Sequence, residues 1–247
     1  LVKITKKIKM NNKHIFELRK LFSNNNIDGY IIPKNDEFFG EYVQPRNERL
    51  KYISNFSGSA GFAVILRDKS YLFVDGRYTL QAKIESGNKF KITKLKPVFI
   101  LNKIKKEISL GYDPKLLTEN TLKKNFESKN INLISIDKNL IDIIWKKKPK
   151  QTYKKFYTLI SKNVGQDYKA KISKISNFLK KKKIKNLLIT APENISWLLN
   201  IRGYDLKYSP ITNCHAIINN KKKVILIVSK KKISKHFKKK FGKSVSY

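Results

Sequence analysis

A chain of 247 residues accommodates one large domain or two ordinary ones. Its hydrophobic content of 40%, with 14 Phe and 12 Tyr, supplies real cores and excludes global disorder. The formal net charge of +37 points, taken alone, to nucleic acid or an anionic membrane surface.

Three features weaken that inference. Arg stands only at positions 19, 46, 49, 67, 77 and 202, so Lys carries nearly all the charge. Readers of nucleic acid favour the planar, bidentate guanidinium. The Lys residues are spread along the whole chain, and they rise together with Asn, Ile, Tyr and Phe, as A/T-rich codons dictate. The charge reads as composition laid over an ordinary fold, with no specific nucleic-acid partner expected. Cys214 is the only cysteine, which excludes an intramolecular disulfide and a Cys-based zinc site. The run Val224–Val228 is far short of a membrane span. The opening "LVKITKKIKM" is basic but lacks the apolar core of a signal peptide, so a cytoplasmic location is expected. Without secretion, Asn55-Phe56-Ser57 and Asn194-Ile195-Ser196 are discounted as glycosylation sites. The chain starts on Leu rather than Met, which suggests a fragment.

In chain order, residues 14–22 have helical spacing, with Ile15, Leu18, Leu21 and Phe22 on one face. Asn24-Asn25-Asn26 ends the helix, and "DGYIIP" reads as a buried strand. A short helix over 47–54 leads into the glycine-rich turn "NFSGSAG". Strands at 62–66 and 71–74 form a hairpin. A helix begins near Arg77 and ends near Gly87, and "KFKIT" alternates as a strand. Then come "LGYD", a helix at 115–128, the strand "INLISI" and "NLIDIIW". The run Lys146–Lys150, interrupted by Pro149, is the expected linker. Beyond it a helix over 168–182 turns Ile172, Ile175, Phe178 and Leu179 inward. The strand "KNLLIT" follows, then a helix opened by Pro192, then a hairpin of "CHAIIN" and "KVILIV".

The second half repeats the first: helix, strand, short helix, an N-x-x-G turn, hairpin. "YISNFSGSAG" aligns with "WLLNIRGYD", an aromatic opening each stretch and Asn closing each helix. The expected fold is α/β, two tandem domains related by internal duplication, spanning 1–148 and 153–247. Each is a mixed β-sheet flanked by helices.

The chemistry is sparse. His14 falls on an expected surface helix, and His236 in a Lys-rich tail. His215 and Cys214 adjoin in one strand and face opposite ways, a poor catalytic dyad. Glu37, Glu41 and Glu48 are close in sequence but have no His partner, and no metal-ligand spacing occurs. "GSAG" lacks the Lys of a phosphate loop. Asp75 beside Arg77 reads as an ion pair or a helix cap. No catalytic, cofactor-binding or metal residue is assigned.

"EYVQPRNERLKYISNFSGSAGFAVIL" and "YLFVDGRYTLQA" resemble the N-terminal, creatinase/prolidase-like domain of three-domain Xaa-Pro aminopeptidases. "NLIDIIWKKKP" and "ENISWLLNIRGYDLKYSPI" resemble the end of that domain and the second domain. Departures fall at Asn47, Asn55 and Val74, where the family has Asp, Gly and Thr. The resemblance implies a metallopeptidase that removes a residue preceding proline. Its chemistry lies in a C-terminal pita-bread domain holding two manganese ions, and none of its catalytic residues maps here. The implied role is non-catalytic: shaping active-site access and assembly, with the missing catalytic domain as partner and peptides with proline second as substrates. A homodimer is compatible with that role. Asp75 and Arg77 then brace a strand-to-helix corner, while Arg77, Tyr78 and Arg202 are the residues to check against a substrate channel. A free-standing peptide- or protein-binding module of the same fold is the alternative.

Overall fold

The computed structural model describes residues 13–94 and 96–247, so the basic opening stretch lies outside the described residues. The chain divides into two compact units. Unit 1 takes the chain up to Glu37 and Pro45–Pro149. Unit 2 takes Phe38–Gln44 and Lys150–Tyr247. The main crossover between the units lies between Pro149 and Lys150, and one short stretch from the first half belongs to unit 2. Phe38–Gln44 leaves the first unit: Gln44 Nε2 donates to the Asp205 carbonyl, and Phe38 meets the His215 ring at 5.1 Å.

Unit 1 is built on six strands: β1 (Gly29–Pro33), β2 (Gly61–Leu66), β3 (Ser70–Val74), β4 (Lys91–Lys94), β5 (Ile108–Tyr112) and β6 (Ile131–Ser135), in the order β4-β3-β2-β1-β5-β6. Its helices are α1 (13–20), α2 (Arg49–Ser54), α3 (Thr79–Ser86), α4 (Val98–Leu101), α5 (Glu119–Phe126) and α6 (Leu140–Ile144). β1 and β3 are buried along their whole length because both sheet faces are covered. One face packs Ile15, Leu18 and Phe22 against Tyr30, Ile32, Ala63 and Leu72. The other packs Ile31, Val64 and Phe73 against Leu101, Leu122 and Phe126. The expected helix at 115–128 starts later, at Glu119, because the Thr118 hydroxyl accepts from Thr121 N and caps it. Helix α4 was not legible, being four residues long.

Unit 2 follows with β7 (Tyr157–Thr158), α7 (Tyr168–Lys181), β8 (Asn186–Ile189), α8 (Pro192–Leu199), β9 (Ile201–Arg202), β10 (His215–Asn219), β11 (Val224–Ile227), α9 (Lys235–Phe241) and β12 (Val245–Ser246). Its main sheet runs β12-β11-β10-β8, and β7 pairs with β9 separately. Ile172 and Leu179 turn inward as expected, but Phe178 is 56% exposed. The buried stripe runs Tyr168, Lys171, Ile172, Ser176, Leu179, and 178 falls outside that helical period.

The repeat holds in the geometry. α2 ends on Asn55 and α8 on Asn200, both left-handed, with φ 63° and 53°. Asn tolerates that conformation better than most non-glycine residues. The glycine three residues on is fixed by space. A Cβ on Gly58 would come within 2.2 Å of the Phe56 ring, and one on Gly203 within 2.6 Å of Thr212 Cβ.

Candidate functional site

The corner that follows β3 gathers the polar side chains singled out in the sequence. β3 ends at Val74, and Asp75 turns the chain into a 3-10 turn, Gly76–Tyr78, that feeds α3. The Asp75 carboxylate accepts from Arg77 N at 3.0 Å and from Arg77 Nε at 2.9 Å. It is both cap and ion-pair partner. The Arg77 bonds hold its pKa below the usual carboxylate range. The pairing is the expected one. The Arg77 side chain is 76% exposed, so the corner is braced at the surface rather than in a core. Arg77 also lies 5.6 Å from the Tyr78 ring, and the Tyr78 hydroxyl bonds Ser59 Oγ at 2.9 Å.

A second set closes the corner, and sequence reasoning missed it. Glu85 accepts from Ser57 N at 2.7 Å and from Ser57 Oγ at 2.6 Å, while Gln81 Nε2 donates to Ser57 Oγ at 3.0 Å. Gln81 and Glu85 stand four apart on α3, the spacing that places them on one helix face. Their partner in the glycine turn had no signal in sequence. The corner is thus a hydrogen-bonded platform presenting one exposed guanidinium.

The buried charges of unit 1 lie elsewhere. Arg49 Nε and Nη2 form a fork onto Asp142 at 2.9 Å each, and Nη2 reaches Glu37 at 2.7 Å. Lys148 completes the group on Asp142 at 2.7 Å. Lys34 pairs with Glu48. Burial pushes the Asp142 carboxyl up, but its bonds to Arg49 and Lys148 outweigh this and leave the pKa below its ordinary value. A cavity of about 670 Å³ in the same unit includes Arg19, Asp68, Ser70 and Lys89 in its lining, but neither Asp75 nor Arg77. Its Arg19 is committed to the Leu66 carbonyl and to Ser70 Oγ.

In unit 2 the central charge pair is Asp205 with Lys232, both buried. Asp205 Oδ2 also accepts from Thr212 Oγ1 and Asn213 N, each at 2.8 Å, and so ties the loop after β9 together. Arg202 spends its Nη1 on the carbonyls of Ser196 and Ile201, which gives it a capping role at the end of α8.

The histidines are dispersed. His14 stacks on Tyr52 at 4.0 Å with Nδ1 against the Tyr52 carbonyl. It is half-buried rather than a surface residue, and burial lowers its pKa. His215 faces Phe38, and His236 Nε2 contacts Thr158 Oγ1. Among the described residues no three His, Cys, Asp or Glu side chains converge at metal-binding range. Glu37, Glu48, Asp142 and Asp205 are paired with Arg or Lys, and Glu85 with Ser57 and Gln81, a donor set that does not fit a manganese pair. Among the described residues no helix is long and apolar enough to cross a membrane.

Residues 15–144 match the family described as "Creatinase/Prolidase N-terminal domain", and residues 147–247 match a second model of the same description. A probable Xaa-Pro aminopeptidase P of Coprinopsis cinerea is 33% identical over 90% of this chain and 37% of its own length. Aminopeptidase P1 of Lotus japonicus is 29% identical over 90% of this chain and 35% of its own. The chain therefore spans about a third of the length of these relatives. The crystal structure of an X-prolyl aminopeptidase from Caenorhabditis elegans, described as a cytosolic enzyme with a di-nuclear active site, shares the fold. Its TM-score is 0.88 at 24% identity, over 96% of this chain and 42% of that one.

Proposed function

Because the chain belongs to the creatinase/prolidase N-terminal domain family, carrying two such domains in tandem, we propose that it is the non-catalytic N-terminal part of an Xaa-Pro aminopeptidase. The observation that carries this reading is the collinear match to aminopeptidases P over 90% of the chain and only about a third of theirs. Hydrolysis by a metallopeptidase needs metal ligands that place hydroxide against the scissile carbonyl. That the donor set described above does not fit this task supports placing the metal pair in polypeptide outside this chain.

In this reading the two units shape the approach to a catalytic domain and contribute to assembly, a homodimer included. The Asp75-braced platform is the surface offered to an incoming peptide. Arg77 is its exposed cation, suited to a peptide carboxylate or carbonyl. A cytoplasmic location accompanies the reading.

The test is release of the first residue from a peptide with proline second, with added manganese. The 247-residue chain is expected to give no turnover above blank. The longer polypeptide read on from the same coding sequence is expected to give chelator-sensitive turnover. Arg77→Ala in that polypeptide should weaken KM or kcat/KM while leaving folding intact. Turnover by the 247-residue chain alone would overturn the proposal, as would an inactive longer polypeptide.

A further inference from the structure

The cavity in unit 1 is built by three segments that the fold brings together. α1 supplies Phe16 and Arg19, the end of the β2–β3 turn and the start of β3 supply Lys69 and Tyr71, and the turn after α3 and the start of β4 supply Lys89 and Lys91. β3 and β4 run parallel with Tyr71 opposite Lys91, so these two residues stand at one level of the sheet. At about 670 Å³ the cavity falls within the range of about 300–1,000 Å³ found for pockets that hold small molecules.

Its charge is lopsided. Arg19, Lys69, Lys89 and Lys91 line it against one carboxylate, Asp68. Asp68 stands 3.7 Å from Lys69 with its side chain 70% exposed, a weak pairing in water. Lys89 and Lys91 are exposed and have no carboxylate partner among the described residues. Arg19 is anchored: Nε donates to the Leu66 carbonyl at 2.8 Å and Nη2 to Ser70 Oγ at 3.3 Å. Nη1 makes no hydrogen bond among the described residues. The two bonds hold the guanidinium in place, so an anion at Nη1 costs little further ordering. Burial lowers the Arg19 pKa against the opposing charge of Asp68, as for a cation with too little negative charge beside it.

Exposed Lys occurs all over this chain, and Lys alone marks no site. This place differs in being concave, in holding an anchored guanidinium, and in carrying an exposed ring. Phe16 is 59% exposed on the cavity wall, and Lys20 Nζ already lies 4.5 Å from its centroid. A flat ring beside clustered cations is the combination that holds a base by stacking and its phosphates by charge.

We propose that this cavity binds a nucleoside phosphate, with the phosphates on Arg19 Nη1, Lys69, Lys89 and Lys91 and the base stacked on Phe16. Neither Asp75 nor Arg77 lines it, so the site is separate from the surface offered to a peptide. It does not depend on the aminopeptidase reading.

The experiment is calorimetric titration of the 247-residue chain with ADP, with pyrophosphate and with adenosine, at about 0.15 M salt, where scattered surface charge is screened. ADP is expected to bind at one site per chain, more tightly than either fragment. Lys69→Glu with Lys89→Glu should weaken ADP and pyrophosphate by at least about tenfold, as reversal of two charges beside a phosphate requires. Lys154→Glu with Lys155→Glu, an exposed pair in unit 2 with the same change of charge, should leave both affinities within about twofold, the distance exceeding the screening length. Phe16→Ala should weaken ADP by about fivefold or more and leave pyrophosphate unchanged, as loss of base stacking dictates. All five positions are exposed, and unchanged melting temperatures confirm that the variants fold. Equal weakening by the two Lys pairs would assign the affinity to overall charge and overturn the proposal. Pyrophosphate binding as tightly as ADP, or ADP giving no binding, would overturn it too.

Discussion

Lys171 Nζ lies 4.3 Å from the centroid of the Trp197 ring and donates to the carbonyl of the same residue at 2.7 Å. It also donates to Asn200 Oδ1 at 2.7 Å, the side chain of the left-handed residue that ends α8. A cation here satisfies a carbonyl at the negative end of a helix. Unit 1 repeats the relationship with different chemistry: His14 from α1 stacks on Tyr52 and meets the Tyr52 carbonyl near the end of α2. Tyr52 and Trp197 are the aromatics that open the repeated stretch. In each unit a basic side chain from the first helix locks the second helix through its aromatic.

Lys171→Ala removes two charge-assisted hydrogen bonds and a cation–π contact. The expected loss is on the order of 2–3 kcal/mol, read by urea unfolding of unit 2. The pH dependence has a definite sign. Burial, with Arg202 nearby, lowers the Lys171 pKa in the folded chain. This group's contribution to stability is therefore least below the folded value. It rises as pH climbs through the folded value toward the unfolded one, about 10.4. Relative to Lys171→Met, wild type should gain stability across that window. A constant difference between the two would contradict the assignment.

Arg49 and Arg77 should separate cleanly. Arg77→Ala removes a surface pair, and its melting temperature should match wild type. Arg49→Ala strands Glu37 and leaves Asp142 with Lys148 as its remaining cation. The expected cost is about 3 kcal/mol, the low end for a broken buried pair because both carboxylates keep some water. The Asp142 pKa is depressed in the fold, so its contribution is present above the unfolded value near 3.9. It is lost as pH falls below that value. Acid titration should thus erode wild type more than Arg49→Ala over that range.

Gly58 and Gly203 are held by contact, not by backbone angle. Gly203→Ala would drive a methyl into Thr212, which is itself buried and tied to Asp205. A loss of about 1–3 kcal/mol is expected, as for overpacking in a filled site. Thermal unfolding of the variant beside Gly165→Ala, where a Cβ meets nothing within 4 Å, checks it.

How much of this was legible follows the physics of each signal. Buried strands and capped helices write themselves locally, so β1, the β2–β3 hairpin and the Asn-ended helices were read from sequence. The inward setting of Phe178 failed because Lys171 and Ser176, polar residues, take buried places on the helix. Ser176 Oγ donates to the Asn219 carbonyl and Lys171 to the α8 end, and neither long-range bond has a local signature. Phe38–Gln44 was assigned to the wrong unit for the same reason: its partners lie some 160 residues on. At the corner, Asp75 and Arg77 are two residues apart and were paired correctly. Ser57 with Glu85, 28 residues apart, was not found.

Cys214 should behave as a silent thiol. It is buried, and burial, opposed by Lys232 and reinforced by Asp205, pushes its pKa up to about 12. A thiol in that state offers almost no thiolate at pH 8. The native chain should react with an alkylating reagent only through opening of unit 2, at a rate that rises steeply with urea. Fast labelling without denaturant would contradict the packing around β10.

Any association with nucleic acid should follow the distribution of the charge. Lys dominates the +37, and the six Arg positions are largely spoken for. Arg49 is buried on two carboxylates, Arg19 and Arg202 donate to backbone carbonyls, and Arg67 and Arg77 pair with Asp28 and Asp75. Few guanidinium forks are left to read base edges, whereas exposed Lys neutralises phosphates without regard to sequence. Binding should therefore be indifferent to duplex sequence. It should weaken steeply between about 50 and 200 mM salt, as counterion release dictates. Titration of several duplexes at both ionic strengths measures this. Selective binding that persists at the higher salt would show that the basic surface is a recognition surface and not a consequence of composition.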